Sequence, residues 1–132
     1  MAGQSTAPHG AFCWVELGTS DAAAAKKFYG ELLGWQYKEG DVSPMAYTEI
    51  VVESRPVGGI YQSGPEYGGG APPNWMAYVS VDDVDGAARR VEELGGKVRV
   101  PPMDIPDVGR FCVIVDPQGA SIALIMLTRA VG

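Results

Sequence analysis

The stretch Cys13-Trp14-Val15-Glu16-Leu17-Gly18-Thr19-Ser20-Asp21, followed by AAAAKKFYGELLGW over residues 22–35, decides the fold. Its first five residues predict a strand, and Ser20 or Asp21 then offers a helix N-cap. Gly34 stands where the helix would end. Three apolar residues recur at helical spacing between these limits: Ala25, Phe28 and Leu32. We therefore expect a strand followed by an amphipathic helix that buries Phe28 in the core.

The same pattern occurs a second time. Trp14 and Trp75, Asp21 and Asp82, and Gly34 and Gly95 are each 61 residues apart. A strand over 75–81 should thus precede a helix that begins after Asp82 or Asp83 and ends at Gly95-Gly96. The apolar face predicted for this helix comprises Val84, Ala87, Ala88, Val91 and Leu94. Repetition of a strand-helix unit at one offset indicates duplicated modules.

Three further strands are predicted after each helix, over 35–39, 45–53 and 56–62 in the first half and over 97–101, 110–115 and 120–127 in the second. The turn sequence Asp116-Pro117-Gln118-Gly119 joins the last two. Each half therefore has the order β-α-β-β-β. We predict an α+β fold with a flexible tail over 1–10 and one domain over 11–127. Its parts are module one over 11–62, a Gly- and Pro-rich linker over 63–74, and module two over 75–127.

Composition excludes several classes of function. The chain has 132 residues, enough for one compact domain, and a formal net charge of −6 with scattered basic residues. Nucleic acid is therefore not expected as a partner, because a phosphate backbone would find no basic track. No apolar stretch suits a membrane span or a secretory signal, so we expect a soluble cytoplasmic protein without a membrane partner. Cys13 and Cys112 are interpreted as buried thiols, with a disulfide as the alternative.

The order of four motifs carries a resemblance to a known family. They are Asp21, Phe28-Tyr29, Leu33-Gly34-Trp35 and, late in the chain, residues 116–119. Together with the duplicated β-α-β-β-β order, they resemble the vicinal-oxygen-chelate superfamily, which contains glyoxalases, bleomycin-resistance proteins and extradiol dioxygenases. The resemblance covers roughly residues 11–127. It implies an open eight-stranded half-barrel around a cavity and, commonly, a homodimer.

The resemblance also implies where a metal would bind. Metal-dependent members carry His or Glu ligands at four cavity positions, which fall here on Trp14, on Ile60 or Tyr61, on Trp75 or Met76, and on Ala123. None of these residues is a metal ligand, and the single histidine, His9, precedes the first strand. Glu16 and Glu49 could face the cavity, but a catalytic metal needs about three convergent ligands. We therefore expect no metal and no other cofactor.

Strand alternation indicates what would line the cavity. On the first strand it places Cys13, Val15 and Leu17 toward the helices and Phe12, Trp14 and Glu16 on the opposite side. On the last strand Leu124 would face the helices, with Ala123 and Ile125 opposite. The predicted ligand-binding residues are Trp14, Glu16, Tyr47, Tyr61, Trp75, Met76 and Tyr78. The alternative is that these aromatic side chains simply fill the interior.

Aromatic rings and one carboxylate suit a planar ligand with a polar edge. We therefore predict a metal-independent protein of the bleomycin-resistance type that sequesters a small hydrophobic or aromatic compound. The alternative is a glyoxalase-like lyase, isomerase or other enzyme in which Glu16 is the catalytic candidate, as a general base. A protein that kept only the fold for interaction or regulation is the third possibility.

Overall fold

The computed structural model describes residues 7–42, 45–63, 72–105 and 108–127, and in them it contains eight strands and two helices. The first half comprises β1 (Phe12–Thr19), α1 (Ala22–Leu33), β2 (Gln36–Val42), β3 (Met45–Val52) and β4 (Arg55–Gln62). The second comprises β5 (Asn74–Ser80), α2 (Val84–Glu93), β6 (Lys97–Ile105), β7 (Gly109–Val115) and β8 (Ser121–Leu127). The predicted α+β class and the two β-α-β-β-β modules are confirmed. Most of the predicted linker, residues 64–71, lies outside the described residues.

Side-chain caps and glycines set the ends of the elements. Asp21 begins α1 by accepting a hydrogen bond from the Ala24 backbone N–H at 3.0 Å, and Asp83 does the same for α2. Gly34 ends α1 in the left-handed conformation, with φ of 73°. In the turn after β7, backbone N–H groups, first that of Ala120, donate to Asp116 and lower the pKa of its carboxyl group.

The chain divides into two compact units. The first unit is Val15–Trp75, and the second unit combines the residues up to Trp14 with those from Met76 onward, so β1 contributes to both. In the first unit the strand order is β2-β3-β4-β1, with β1 parallel to β4 and the other pairs antiparallel. In the second unit the order is β6-β7-β8-β5, with β5 parallel to β8. The duplication seen in the sequence is therefore a duplication of strand topology.

The core of the first unit lies between its sheet and α1. Leu17, Ile50 and Ile60 are its buried residues, and Ala25 and Tyr29 of α1 pack against them. The expectation that Phe28 belongs to the core is wrong, because 59% of its surface is exposed. Successive helical residues are separated by about 100°, so the side of α1 that carries Ala25 and Tyr29 turns Phe28 outward.

The second unit has buried apolar clusters on both faces of its sheet. One cluster packs α2 against the strands and contains Val81, Val84, Ala88, Cys112 and Leu124. The other contains Cys13, Trp14, Tyr78, Val113, Ala123 and Ile125. The predicted alternation along β8 is confirmed by this separation. Leu94, predicted on the apolar face of α2, is 63% exposed, since it lies after the last helical residue.

The predicted alternation along β1 holds only in part. Leu17 packs against α1, as expected. Val15 was expected on the same side but is 42% exposed, and Cys13 shares one buried cluster with Trp14. The first strand therefore does not present a single helix-packing face along its length, because its two ends belong to different units.

Residues 7–11 are hydrogen bonded to the region around β5. Gly10 donates to the Ser80 carbonyl at 2.7 Å, and Ser80 donates to the Ala11 carbonyl at 2.8 Å. His9 Nδ1 accepts a hydrogen bond from the Asp82 backbone N–H at 3.0 Å. Residues 7–10 are the described part of the segment that was predicted as a flexible tail.

Ion pairs join α2 to its sheet. Arg110 on β7 donates two hydrogen bonds to Asp85 in the first turn of α2, at 2.8 and 3.0 Å. These hydrogen bonds, ahead of the charge attraction, hold the pKa of the Asp85 carboxyl below its usual range. Neither described helix is long and apolar enough to cross a bilayer.

A comparison of two aromatic truncations tests where the core lies. Trp14→Ala should reduce the free energy of unfolding by about 3–5 kcal/mol, because it opens a cavity in a buried cluster. Phe28→Ala should cost about 1 kcal/mol or less, since most of that ring contacts solvent. Urea denaturation at low protein concentration measures both. An equal or larger loss for Phe28→Ala would contradict the packing described.

Candidate functional site

The candidate site is one face of the first unit's sheet, defined here as the Tyr–Glu face: Glu16, Tyr47, Glu49 and Tyr61. Glu16 on β1 pairs in register with Gly59 on β4, and Gly59 pairs with Glu49 on β3. Two residues further along β4, Tyr61 pairs with Gly18 on β1 and with Tyr47 on β3. Because side chains two residues apart share a face of a strand, these four side chains lie on one side of the sheet. Leu17 and Ile60 belong to the other side, which packs on α1.

Two glycines bring the tyrosine rings down onto the backbone. A Cβ atom at Gly59 would overlap the Tyr47 hydroxyl group and ring, and a Cβ at Gly18 would lie 2.6 Å from the Tyr61 hydroxyl oxygen. Neither position tolerates a side chain while the rings stay where they are. Gly59 also stands between Glu16 and Glu49 in the register, so the Tyr47 hydroxyl lies over the residue that separates the two carboxylates.

The Tyr–Glu face combines aromatic rings with carboxylate groups. All four of its side chains are partly buried, and the register places Lys38 of β2, which is exposed, beside Glu49. Tyrosine rings offer flat apolar surfaces and a hydroxyl that both donates and accepts, while ionised carboxylates only accept hydrogen bonds. The arrangement therefore suits a planar molecule that carries a hydrogen-bond donor or a positive charge at its edge.

The structure divides the predicted ligand-binding residues into three groups. Glu16, Tyr47 and Tyr61 come together on the Tyr–Glu face. Trp14, Tyr78 and Met76 lie in the apolar cluster of the second unit, where Trp14 is 5% and Tyr78 is 8% exposed. These three side chains pack together in the structure, and their part in ligand binding stays a prediction.

Trp75 has different surroundings from Trp14, although the two residues correspond in the repeat. Its ring packs edge-on against Tyr29 at 5.6 Å and Trp35 at 6.0 Å between centroids, and it is 40% exposed. Tyr29 belongs to α1 and packs on the helix side of the first unit's sheet. The first strands of the two halves begin at Phe12 and Asn74 and the helices at Ala22 and Val84, which is 62 residues apart in both cases (74 − 12 and 84 − 22). The 61-residue spacing of the tryptophans is therefore one residue out of phase with the structural repeat, and this places Trp75 on the other side of its strand.

The four positions at which the family carries metal ligands do not fit a metal here. Trp14 and Ala123 are buried in an apolar cluster, and Ala123 has no exposed surface. Within the described ranges, no group of three or more His, Cys, Asp and Glu side chains is placed to hold a metal ion. Glu16 and Glu49 supply two carboxylates, fewer than the three protein ligands usual for a catalytic metal.

The cysteines do not add a nucleophile to the site. Cys13 and Cys112 are buried free thiols, which confirms the prediction made for them. Desolvation by burial raises the pKa of both thiols, and the charge of Asp85 raises that of Cys112 further. Since the thiolate is the reactive form, both residues serve as small apolar groups.

Sequence reasoning named Glu16, Glu49 and the two tyrosines but missed Gly18 and Gly59. Glycine within a strand often marks a close approach of another group, and this signal was available in both segments. The approaching group lies on the neighbouring strand in both cases: Tyr61 of β4 covers Gly18 of β1, and Tyr47 of β3 covers Gly59 of β4. Only the register identifies these pairings.

The chain belongs to the Glyoxalase/Bleomycin resistance protein/Dioxygenase superfamily. The model of that family matches residues 11–124, nearly all of the region that forms the two modules. The resemblance inferred from the sequence motifs is thereby confirmed.

Two relatives show how the chain compares with longer proteins. It is 40% identical over 121 residues to CFP32 of Mycobacterium tuberculosis, which is provisionally named a glyoxylase, and this match covers 90% of the chain. It is 34% identical over 128 residues to the anthracycline biosynthesis protein DnrV of Streptomyces peucetius, covering 87% of the chain. Both matches span 46% of the relative, so the chain has about half the length of these curated relatives.

Solved structures share the fold at low identity. A hypothetical protein, BH1468 from Bacillus halodurans, has a TM-score of 0.68 and 9% identity, with 95% of this chain and 99% of that chain covered. Methylmalonyl-CoA epimerase from Mycobacterium tuberculosis has a TM-score of 0.54 and 17% identity, with 88% and 86% covered. At these identities the similarity establishes the fold alone.

Substitution of the two strand glycines tests the geometry of the Tyr–Glu face. Gly59→Ala should leave the protein folded but displace the Tyr47 ring, because the clash is with the movable end of a side chain. The matched control is Gly30→Ala in α1, where the nearest atom is 3.5 Å away and alanine favours the helix. The Tyr47 ring signals in NMR spectra should change for Gly59→Ala and not for Gly30→Ala, whose added methyl group contacts the Tyr37 ring instead. Unchanged Tyr47 signals in Gly59→Ala would contradict the contact.

Metal analysis tests the fit of the ligand positions. Purified protein should carry far less than one divalent metal ion per chain, since the family's four positions hold no donor that suits such an ion. Treatment with a chelator should leave the melting temperature unchanged. About one zinc, nickel, iron or manganese ion per chain would contradict this.

Proposed function

We propose that the protein is a metal-independent small-molecule-binding protein that sequesters a hydrophobic or aromatic compound on the Tyr–Glu face. One observation carries the proposal: the Tyr47 and Tyr61 rings lie on the backbone of two glycines, and Glu16 and Glu49 flank one of these glycines. The apolar face on the other side of the same sheet is already occupied by α1. The Tyr–Glu face is the opposite side of that sheet, where its four side chains are partly exposed.

Energetic considerations favour a ligand with both apolar and polar parts. Stacking on an aromatic ring contributes about 0.5–1.5 kcal/mol beyond the buried area. A hydrogen bond to a charged group contributes about 1.5–3 kcal/mol, and it also fixes the orientation of the ligand. A planar compound with an amino group at one edge would use the tyrosine rings and a glutamate together. The name of DnrV places that relative in anthracycline biosynthesis, which makes an anthracycline a suitable first probe.

The alternative is an enzyme that uses the same face. It is favoured by the Tyr47 hydroxyl group over Gly59, the register neighbour of Glu16, and by a second carboxylate, Glu49, on the far side of Gly59. Carboxylates and phenols are groups that can transfer protons to and from a bound substrate. In that case Glu16 would be the general base. Recovery of a bound compound unchanged after prolonged incubation supports sequestration, whereas its conversion supports the enzyme.

We also propose where in the cell the protein is located and how many copies assemble. A cytoplasmic location agrees with two buried free thiols, which a reducing compartment preserves. A homodimer is proposed because related two-module chains commonly pair. No nucleic acid or membrane is included among the proposed partners, because the net charge of −6 disfavours anionic surfaces.

A titration with two matched probes tests the proposal. Addition of a planar aromatic amine, or an anthracycline, should shift the backbone amide NMR signals of Gly18 and Gly59 and leave that of Gly109 in β7 unchanged. Glu16→Gln should weaken binding of the amine about tenfold through loss of a charge-assisted hydrogen bond. It should leave binding of the analogue without the amino group, and the melting temperature, nearly unchanged.

The control for this titration is Glu93→Gln, which removes an exposed carboxylate from α2. It should change neither affinity. If Glu16→Gln unfolds the protein, the carboxylate is part of a structural network and its role in ligand binding is wrong. If no compound shifts the Gly18 and Gly59 signals, the Tyr–Glu face is not a binding site.

A further inference from the structure

The two tyrosines of the Tyr–Glu face lie along the sheet instead of standing away from it. The Tyr61 side chain starts on β4, and its hydroxyl oxygen would lie 2.6 Å from a Cβ atom at Gly18 on β1. The Tyr47 side chain starts on β3, and its hydroxyl group would overlap a Cβ atom at Gly59 on β4. Both ends of each side chain are therefore at the height of a Cβ atom, close to the backbone. Together the two side chains cover the sheet from β3 to β1, which is two strand spacings or about 9–10 Å.

The two carboxylates of the face lie at the ends of the same span. Glu16 is on β1 and Glu49 is on β3, and Gly59 separates them in the register. The Tyr47 hydroxyl group over Gly59 occupies the middle of this row. A carboxylate accepts several hydrogen bonds, so each end of the row can accept from a ligand in addition to its contacts within the protein. The face therefore combines an aromatic surface two strands wide with an acceptor at each end of one side.

The charges along this row favour a ligand with a single positive charge. Lys38 on β2 pairs in register with Glu49 and is exposed. Two carboxylates and one ammonium group sum to −1 (−2 + 1), so one positive charge on the ligand balances the row. Because Lys38 offsets the charge at the Glu49 end, a positive charge spread over the ligand suits the row better than one concentrated at that end.

We propose that the Tyr–Glu face takes a planar cation of three or more fused rings that carries a hydrogen-bond donor at each end of one long edge. The fused rings lie on Tyr47 and Tyr61, and the two donors bind Glu16 and Glu49. A single six-membered ring is about as wide as one strand spacing, whereas three linearly fused rings extend over about two. This inference rests on the proposed function and specifies the class of compound that the site takes.

Compounds that lack one of these features use the face incompletely. A cation with one ring covers one tyrosine and reaches one carboxylate. A cation with three fused rings and a donor only at the middle of its edge meets the Tyr47 hydroxyl group and neither carboxylate. Each loss of a hydrogen bond to a carboxylate lowers affinity about tenfold or more.

Titration of the full chain with three planar cations tests the inference. 3,6-Diaminoacridine has three fused rings, one delocalised positive charge and an amino group at each end of one long edge. 9-Aminoacridine has the same rings and charge but carries its amino group at the middle of an edge, and benzamidine has a single ring. 3,6-Diaminoacridine should bind about tenfold or more tightly than either of the others. It should also shift the backbone amide NMR signals of Gly18 and Gly59.

Neutral variants of the two glutamates identify the contacts. Glu16→Gln and Glu49→Gln should each lower the affinity for 3,6-diaminoacridine about tenfold and that for 9-aminoacridine less than about threefold. Glu93→Gln removes an exposed carboxylate from α2 as the matched control and should change neither affinity. Circular dichroism identifies any variant that loses its fold, and the comparison of the three cations on the unaltered protein requires no substitution.

The results separate this inference from the proposed function. Equal affinity for 3,6-diaminoacridine and 9-aminoacridine, or an unchanged preference in Glu49→Gln, would overturn the inference but leave the face as a binding site for planar compounds. Binding of 3,6-diaminoacridine without a shift of the Gly18 and Gly59 signals would also overturn it, because the cation would lie elsewhere. If none of the three cations binds, the inference is wrong, and the proposed function fails with it only when no uncharged planar compound shifts those signals either.

Discussion

The register that aligns Glu16, Gly59 and Glu49 across three strands determines both faces of the first unit's sheet. Because neighbouring side chains alternate, the same register directs Leu17 and Ile60 toward α1, where they form the buried core with Ile50. A shift by one residue would expose that core and bury two carboxylates, which is costly without partners. Stability of the core therefore fixes which positions lie on the Tyr–Glu face, although the residue types at those positions can change without altering the core.

The two units share a topology but use it differently. In the second unit the sheet carries apolar clusters on both faces, so Trp14, Tyr78 and Ile125 are buried away from solvent. In the first unit the face opposite the helix carries carboxylates and phenols instead. Since the strand orders correspond, the difference comes from side chains alone. Gly18 and Gly59 contribute to it, because they leave room for rings to lie on the sheet.

The outside of the first unit shows a second departure from simple burial. Helix α1 has no fully buried residue, and its large apolar residues Phe28, Leu32 and Leu33 are more than half exposed. A large exposed apolar surface on a compact protein commonly marks an interaction site. The helix that covers the core on one side thus leaves an exposed apolar surface on the other.

The sequence by itself determined the fold class, the duplication and nearly every element boundary, because caps, turn residues and apolar periodicity act over a few neighbouring residues. It also indicated Glu16, Glu49, Tyr47 and Tyr61, and the family. It misplaced Phe28, Leu94 and Val15, since periodicity defines an apolar side but not which residue on it is covered. It also could not separate Trp14 from Trp75, which match at the 61-residue offset of the sequence, whereas the strands and helices themselves repeat at 62 residues (74 − 12 and 84 − 22). Only tertiary structure decided these points, because burial and the contact of Tyr47 with Gly59 depend on pairing between strands distant in sequence.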